Sequence, residues 1–233
     1  MSFLGKLLGK KPTAAPAASV DPSKDPNMIR VFDAYGREVF ISKETWRTTA
    51  LPGALKKEWS NTDALFAIIV QSLRDGFVSD VVDAARQLHR IDPNAERAVT
   101  VLANVYLQTK RIKEAGAVLT EFVQKHGETG SVVTNLAKVH SARGETALAD
   151  STLWHALELD PNQDNSLLWF AALARERTGE TGWLEALRRA AAVPGSWRAK
   201  LWLARDALEK KDTPSALAFY HQVLEQVEPA PAD

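Results

Sequence analysis

Residues 102–127 and 136–161 carry one pattern of small and large side chains, written twice with an offset of 34 positions. Leu102 falls over Leu136, Ala103 over Ala137, Tyr106 over His140, and Ala115 over Ala149. Leu119 falls over Leu153, Phe122 over Ala156, and Gly127 over Pro161. A period of this length marks a supersecondary unit in an array. No single unit of that kind can bury its apolar face alone, so neighbours must stack.

The residue types explain themselves as two antiparallel helices joined by a tight turn. Such helices cross closely only where side chains are small, which places Ala103 against Ala115 and Ala137 against Ala149. Leu102, Leu119 and Leu153 fill the space between one pair and the next. Pro161 stops a helix, because proline lacks an N–H and disfavours helical geometry in the residue before it. Gly144 and Gly179 stand where a helix must end and turn. Upstream, Ile68, Ile69, Gly76, Val81, Ala85, Leu88 and Pro93 keep the register, and "IDPN" at 91–94 foreshadows "LDPN" at 159–162. Downstream one residue is lost, and Leu203, Ala204, Ala207, Ala216, Tyr220 and Val223 fit again. Residues 164–196 read as helix-turn-helix around "RTGETG", although "AAAVPGS" departs from the pattern. The expected units are 62–95, 96–129, 130–163, a degenerate 164–196, and 197–230.

This pattern resembles the tetratricopeptide repeat, whose signature runs W-x2-L-G-x2-Y, then A-x3-F, then A, then P. In residues 130–163 Leu136 stands at the leucine and Ala137 at the glycine. Ala149 and Ala156 take the alanine positions, Leu153 the phenylalanine and Pro161 the proline. Val133 replaces the tryptophan and His140 the tyrosine, a packing position rather than a ligand position. The resemblance, to members of bacterial type, implies a mainly α fold: a right-handed α-solenoid with a concave groove lined by the first helix of each pair. It also implies a non-enzymatic scaffold or adaptor that holds a protein or peptide partner in that groove.

Groove positions carried over from the family are Asn104 and Asn135, which resemble the asparagines that hold a ligand's backbone amides, with Lys138 beside them. An amide offers both a donor and an acceptor to an extended backbone. Thr100 and Asn165 stand where the cations of an acidic-tail clamp would be, so that clamp is incomplete. Farther along, the groove positions are Trp169 and Arg175, then Arg198, Trp202 and Arg205. Residues 175–211 hold nine Lys or Arg against five Asp or Glu. Tryptophan and arginine are the residues that most often anchor interfaces, and the basic excess suggests an acidic or aromatic-bearing peptide. The competing reading makes both tryptophans packing between imperfect repeats.

Composition closes other routes. The 233 residues contain no cysteine, which removes disulfides, thiolate catalysis and cysteine-based metal sites. The five histidines form neither an HExxH pair nor a cluster with acids, and no glycine-rich phosphate loop is present. No cofactor or metal is expected, and the chain reads as no enzyme, with an accessory subunit of an enzyme complex as a lesser alternative. Lysine and arginine balance aspartate and glutamate at 29 each, which argues against nucleic acid as a partner.

The N-terminal part has a different texture. Residues 28–61 read as a β-hairpin, with Ile29 and Val31 alternating, a turn at Gly36, and Val39 and Ile41 resuming. A helical stretch split by Pro52 and Gly53 follows. This module would cap the first repeat, with Trp46 and Trp59 as packing anchors. Residues 12–27 read as a flexible linker rich in alanine, proline and serine. In residues 1–11, Phe3, Leu4, Leu7 and Leu8 share one helical face, with Lys6, Lys10 and Lys11 elsewhere. That stretch is too short and too broken to be a secretory signal, so the expected location is cytoplasmic. The alternatives for these eleven residues are a disordered start, a peripheral anchor on the inner face of the membrane, or docking onto a neighbouring copy in a homo-oligomer.

Overall fold

A computed structural model describes residue 21, residues 24–32 and residues 35–227. The proposed membrane contacts Phe3, Leu4, Lys6, Leu7, Leu8, Lys10 and Lys11 therefore lie outside the described residues, as does most of the 12–27 stretch. The chain forms two compact units, one ending at Ile91 and the other beginning at Asp92.

In the first unit, β1 (Met28–Phe32) and β2 (Glu38–Ser42) form an antiparallel hairpin, with Ile29 opposite Ile41 and Val31 opposite Val39. The Ser42 hydroxyl accepts the Thr45 N–H at 3.0 Å and starts a helical run. This run comprises a single turn (Lys43–Thr45), a π-helical turn (Trp46–Ala50) and α1 (Leu51–Lys57). The break expected at Pro52 and Gly53 is absent. Pro52 sits in the first turn of α1, and the π-helical turn that runs into it, with the Leu51 N–H reaching back to the Trp46 carbonyl, takes up the misfit. The buried anchor is Leu51 rather than a tryptophan: Trp46 is half-buried and Trp59 exposed. α2 (Thr62–Asp75) starts on the Asn61 cap and ends at Gly76, whose φ of 87° is the left-handed geometry of a helix stop. A 3₁₀ turn (Val78–Val81) leads into α3 (Val82–Ile91). Leu65, Ile69, Val81, Ala85 and Leu88 are fully buried in this pair. Arg47 Nε pairs with Asp80 at 3.0 Å, and Gln87 donates to the Trp59 carbonyl at 3.3 Å, fastening the hairpin module to it.

The regular elements among the second unit's described residues are all helices: α4 (Ala95–Gln108), α5 (Ile112–His126), α6 (Gly130–Ala142), α7 (Thr146–Leu159), α8 (Asp164–Ala191), α9 (Arg198–Glu209) and α10 (Thr213–Leu224). α4 packs on α5 and α6, α6 on α7 and α8, α8 on α9, and α9 on α10, the contact order of a stacked helical-repeat solenoid. Ala103, Ala115 and Ala137 are fully buried and Ala149 nearly so, at the close crossings within each pair. α8 is two helices, because Thr178 and Gly179 leave helical geometry within "RTGETG". Its segments cross at a buried Gly182, where an added Cβ would lie 2.5 Å from the Ala174 carbonyl oxygen. Although "AAAVPGS" departs from the signature, it still ends the helix: α8 stops at Ala191, and the Ser196 N–H closes a turn onto the Val193 carbonyl at 3.0 Å.

Side-chain bonds fix the stacking. Gln163, just before α8, donates to Ser131 of α6 at 2.7 Å and accepts from Thr134 of α6 at 3.1 Å. The two "DPN" turns are alike locally, with Asp92 accepting the Asn94 N–H at 2.9 Å and Asp160 the Asn162 N–H at 3.0 Å. Beyond that they differ. Asn94 caps α4 through the Arg97 N–H at 3.0 Å. Asn162 instead accepts from the N–H groups of Trp197 and Arg198 at 2.9 and 3.0 Å, and donates to the Gly195 carbonyl at 2.9 Å.

Candidate functional site

Helix periodicity decides which residues of α8 and α9 can meet. Trp202 and Arg205 are three apart on α9, so both project from one face. The turn at Thr178 and Gly179 folds Trp183 back beside them. Trp183 and Trp202 meet edge to face, centroids 6.5 Å apart at 88°, a favourable aromatic geometry. Arg205 stands 5.4 Å from the centre of the Trp202 ring, and Arg175 stands 5.9 Å from that of Trp183. Arg175, Trp183, Trp202 and Arg205 line one open cavity of about 460 Å³ with Glu180, Asp206, Glu209 and Lys210. Both tryptophans are half-buried, with one side on the core around Leu187 and Leu203. They are packing residues and surface residues at once.

Three of the residues singled out by sequence thus share a cavity: Arg175, Trp202 and Arg205. The other five lie elsewhere. Trp169 is half-buried on α8 and does not line it. Arg198 starts α9, lies over the Trp197 ring at 4.3 Å and pairs with Asp164 at 3.2 Å. Asn104 is half-buried on α4, and its amide has no partner among the described residues. Asn135 is only 3% exposed; its amide donates to the Ser131 carbonyl at 2.9 Å and its oxygen accepts from Lys138 at 3.3 Å. It is a brace for Lys138 rather than an open amide. Loss of water around the half-buried Lys138 ammonium lowers its pKa.

The electrostatics also differ from the sequence expectation of a basic face. Arg175 pairs with Glu180, Arg205 with Glu209 at 3.1 Å and Lys210 with Asp206 at 2.8 Å, so the cavity is internally neutral. Arg177 and Arg198 find Asp150 and Asp164, both outside the window of sequence in which the excess was counted. Each of the cavity's three cations is matched by a carboxylate of the same lining. Its chemistry is that of two indole surfaces framed by paired charges.

Sequence reasoning missed Trp183, whose role depends on the turn within α8, and a second aromatic group at Trp154, Phe170 and Arg189. Trp154 and Arg189 are 35 residues apart, close to one repeat, which is the signal that finds them. No group of three or more His, Cys, Asp or Glu among the described residues is placed to hold a metal ion. No described helix is long and apolar enough to cross a membrane.

No protein-family model matches the sequence, and no curated protein matches it. Solved structures do. TTC0263, a thermophilic TPR protein in Thermus thermophilus, is 19% identical over 74% of this chain and 93% of its own, with a TM-score of 0.47. Yeast Tom70 is 17% identical over 81% of this chain, with a TM-score of 0.50; the match spans 40% of Tom70. YrrB, a TPR protein with an unusual peptide-binding site, is 17% identical over 76% of this chain and 91% of its own, with a TM-score of 0.41. At these identities the likeness is one of fold.

Proposed function

We propose that this chain, whose helical pairs have the tetratricopeptide-repeat fold, is a non-enzymatic scaffold that docks a protein or peptide partner. The partner lies along the first helices of successive pairs in the second unit. The observation that carries the reading is the shared cavity of Trp183, Trp202, Arg175 and Arg205. Indole surfaces that are half-exposed, rigid and framed by polar groups are what a contact needs at its centre, where water is excluded around an aromatic anchor. The paired charges act as the rim. The complementary group is an aromatic or aliphatic side chain, rather than an acidic run.

Asn104 supplies a free amide to an extended partner backbone, and Asn135 acts through Lys138, whose ammonium is held partly out of water with no carboxylate beside it among the described residues. The membrane-anchor alternative rests on residues 1–11 and is tested separately. If a chain lacking residues 1–27 partitions onto anionic vesicles as well as the full chain does, the anchor is excluded. For the docking reading, wild-type and Trp202→Ala/Arg205→Ala chains are used to capture proteins from the native host. The double variant is expected to lose the major captured species while retaining its helical spectrum, and Arg86→Ala in the first unit is expected to keep it. An unchanged set of captured proteins with the double variant would sink the proposal.

A further inference from the structure

The larger cavity of the second unit, about 690 Å³, shares no residue with the Trp202 cavity. Its walls come from α7 and from both segments of α8. Trp154 and Phe170 meet there, ring centroids 5.4 Å apart and tilted by 48°, both half-buried. The Arg189 guanidinium carbon lies 3.7 Å from the centre of the Trp154 ring and 5.7 Å from that of Phe170. A guanidinium stacked in this way keeps its N–H donors directed outward in its own plane.

Among the described residues that cation has no carboxylate. Asp150 is occupied by Arg177 at 2.8 Å. Glu158 accepts the Trp154 indole N–H at 2.6 Å. Glu185, one turn earlier on the same helix and lining the same cavity, does not pair with Arg189. The (i, i+4) pairing available to Glu185 and Arg189 is set aside for the aromatic stack. Cation–π contact holds the guanidinium at the cavity edge, where its open edge is free to bind a carboxylate in bidentate fashion.

We propose that this cleft is a second docking site, selecting a peptide segment in which one carboxylate stands beside a bulky apolar side chain. The apolar group packs against the cavity side of the joined Trp154 and Phe170 rings and against Leu173, in a volume within the range of ligand pockets. The carboxylate meets the edge of Arg189. Arg177 already matches Asp150 on the cleft wall, which leaves Arg189 for one carboxylate while Glu185 repels further negative charge, so an acidic run is rejected and a single acid beside an apolar residue is selected.

The test uses N-acetyl-L-phenylalaninate and its neutral amide, titrated into the full chain and read by the NMR signals of the Trp154 and Trp202 indole N–H groups. The carboxylate is expected to shift the Trp154 signal saturably and to bind about tenfold more tightly than the amide, the scale of a charge-assisted hydrogen bond over a neutral one. Arg189→Gln should abolish the preference, Arg189→Lys should restore part of it, and the Trp202 signal should stay in place. Equal binding of the two probes to the wild-type chain overturns the proposal. So does a preference that survives in Arg189→Gln, or the lack of any saturable shift at Trp154. The Trp202→Ala/Arg205→Ala experiment reads different residues, so failure of one site leaves the other standing.

Discussion

From α4 to α7 the crossings are set by alanine, and the large core side chains are almost completely enclosed: Leu119 and Leu153 have no exposed area, and the aromatic Tyr106 and Phe122 are buried too. From the end of α7 to α10 the same scaffold carries Trp154, Phe170, Trp183 and Trp202, all half-buried, each within reach of an arginine. Both cavities lie in this later part. The first part shows a repeat whose large side chains are used almost wholly in packing against its neighbours. The second shows what is relaxed when a repeat must also present a surface: small residues still set the crossings, as at Ala171 and Gly182, while large aromatics are left half out of the core.

The largest test of this contrast compares two helical glycines. At Gly182 an added Cβ meets the Ala174 carbonyl oxygen, which is backbone and cannot swing aside. Gly182→Ala should therefore destabilise by about 1–3 kcal/mol despite its better helix propensity. At Gly116 in α5 the closest atom, 2.8 Å away, is the tip of the flexible Arg143 side chain. Gly116→Ala should stabilise by up to about 1 kcal/mol. Urea denaturation midpoints compare the two, and changes of the same sign would remove the distinction.

The two "DPN" asparagines give the next effect. Asn94→Ala loses a helix cap and should cost about 1 kcal/mol. Asn162→Ala loses three bonds to the segment before and into α9 and should cost about 2 kcal/mol. It should also move the Trp202 indole signal, which Asn94→Ala should not.

The smallest effects are in pH. Hydrogen bonds from Arg97 hold the Asp92 carboxyl below the usual carboxylate range. Its stabilisation is complete above the unfolded value of about 4 and is lost as pH falls through the folded value. Arg97→Gln should remove that acid limb from a pH series of urea midpoints. His155 runs the other way. Its pKa is raised by the hydrogen bond to Glu128, so its contribution is present below about 6.5 and fades as pH rises through the folded value. Glu128→Gln should flatten that weak slope, and a steeper one would contradict the assignment.

The fold was legible because the strongest constraint, a small residue at each helix crossing, recurs with one period. Ala103, Ala115, Ala137 and Ala149 were readable as crossings from the sequence. Gly182 was less so, because the lost residue moves it off the register. The N-terminal helical run was misread at Pro52, since sequence does not show that a wide turn precedes it. The site was legible in part. Trp202, Arg205 and Arg175 stood out by type, but their charge environment did not. In a stacked array some arginines find their ion partner on the preceding helix, as Arg177 finds Asp150, 27 positions back, and Arg198 finds Asp164 at the start of α8. Counting charges in a contiguous window therefore overstates the basic character of a surface. Burial of Asn135 was hidden for a related reason: its position along α6 was clear, but the packing of α8 over α6 was not.

The side chain of Asn162 also has a mechanical meaning. Its one oxygen and one amide grip the segment before α9 and its first turn, up to 36 positions along the chain. All three bonds converge on one side chain, so the turn before α8 is tied to the entry of the last pair at a single joint, and one substitution there unties the whole connection.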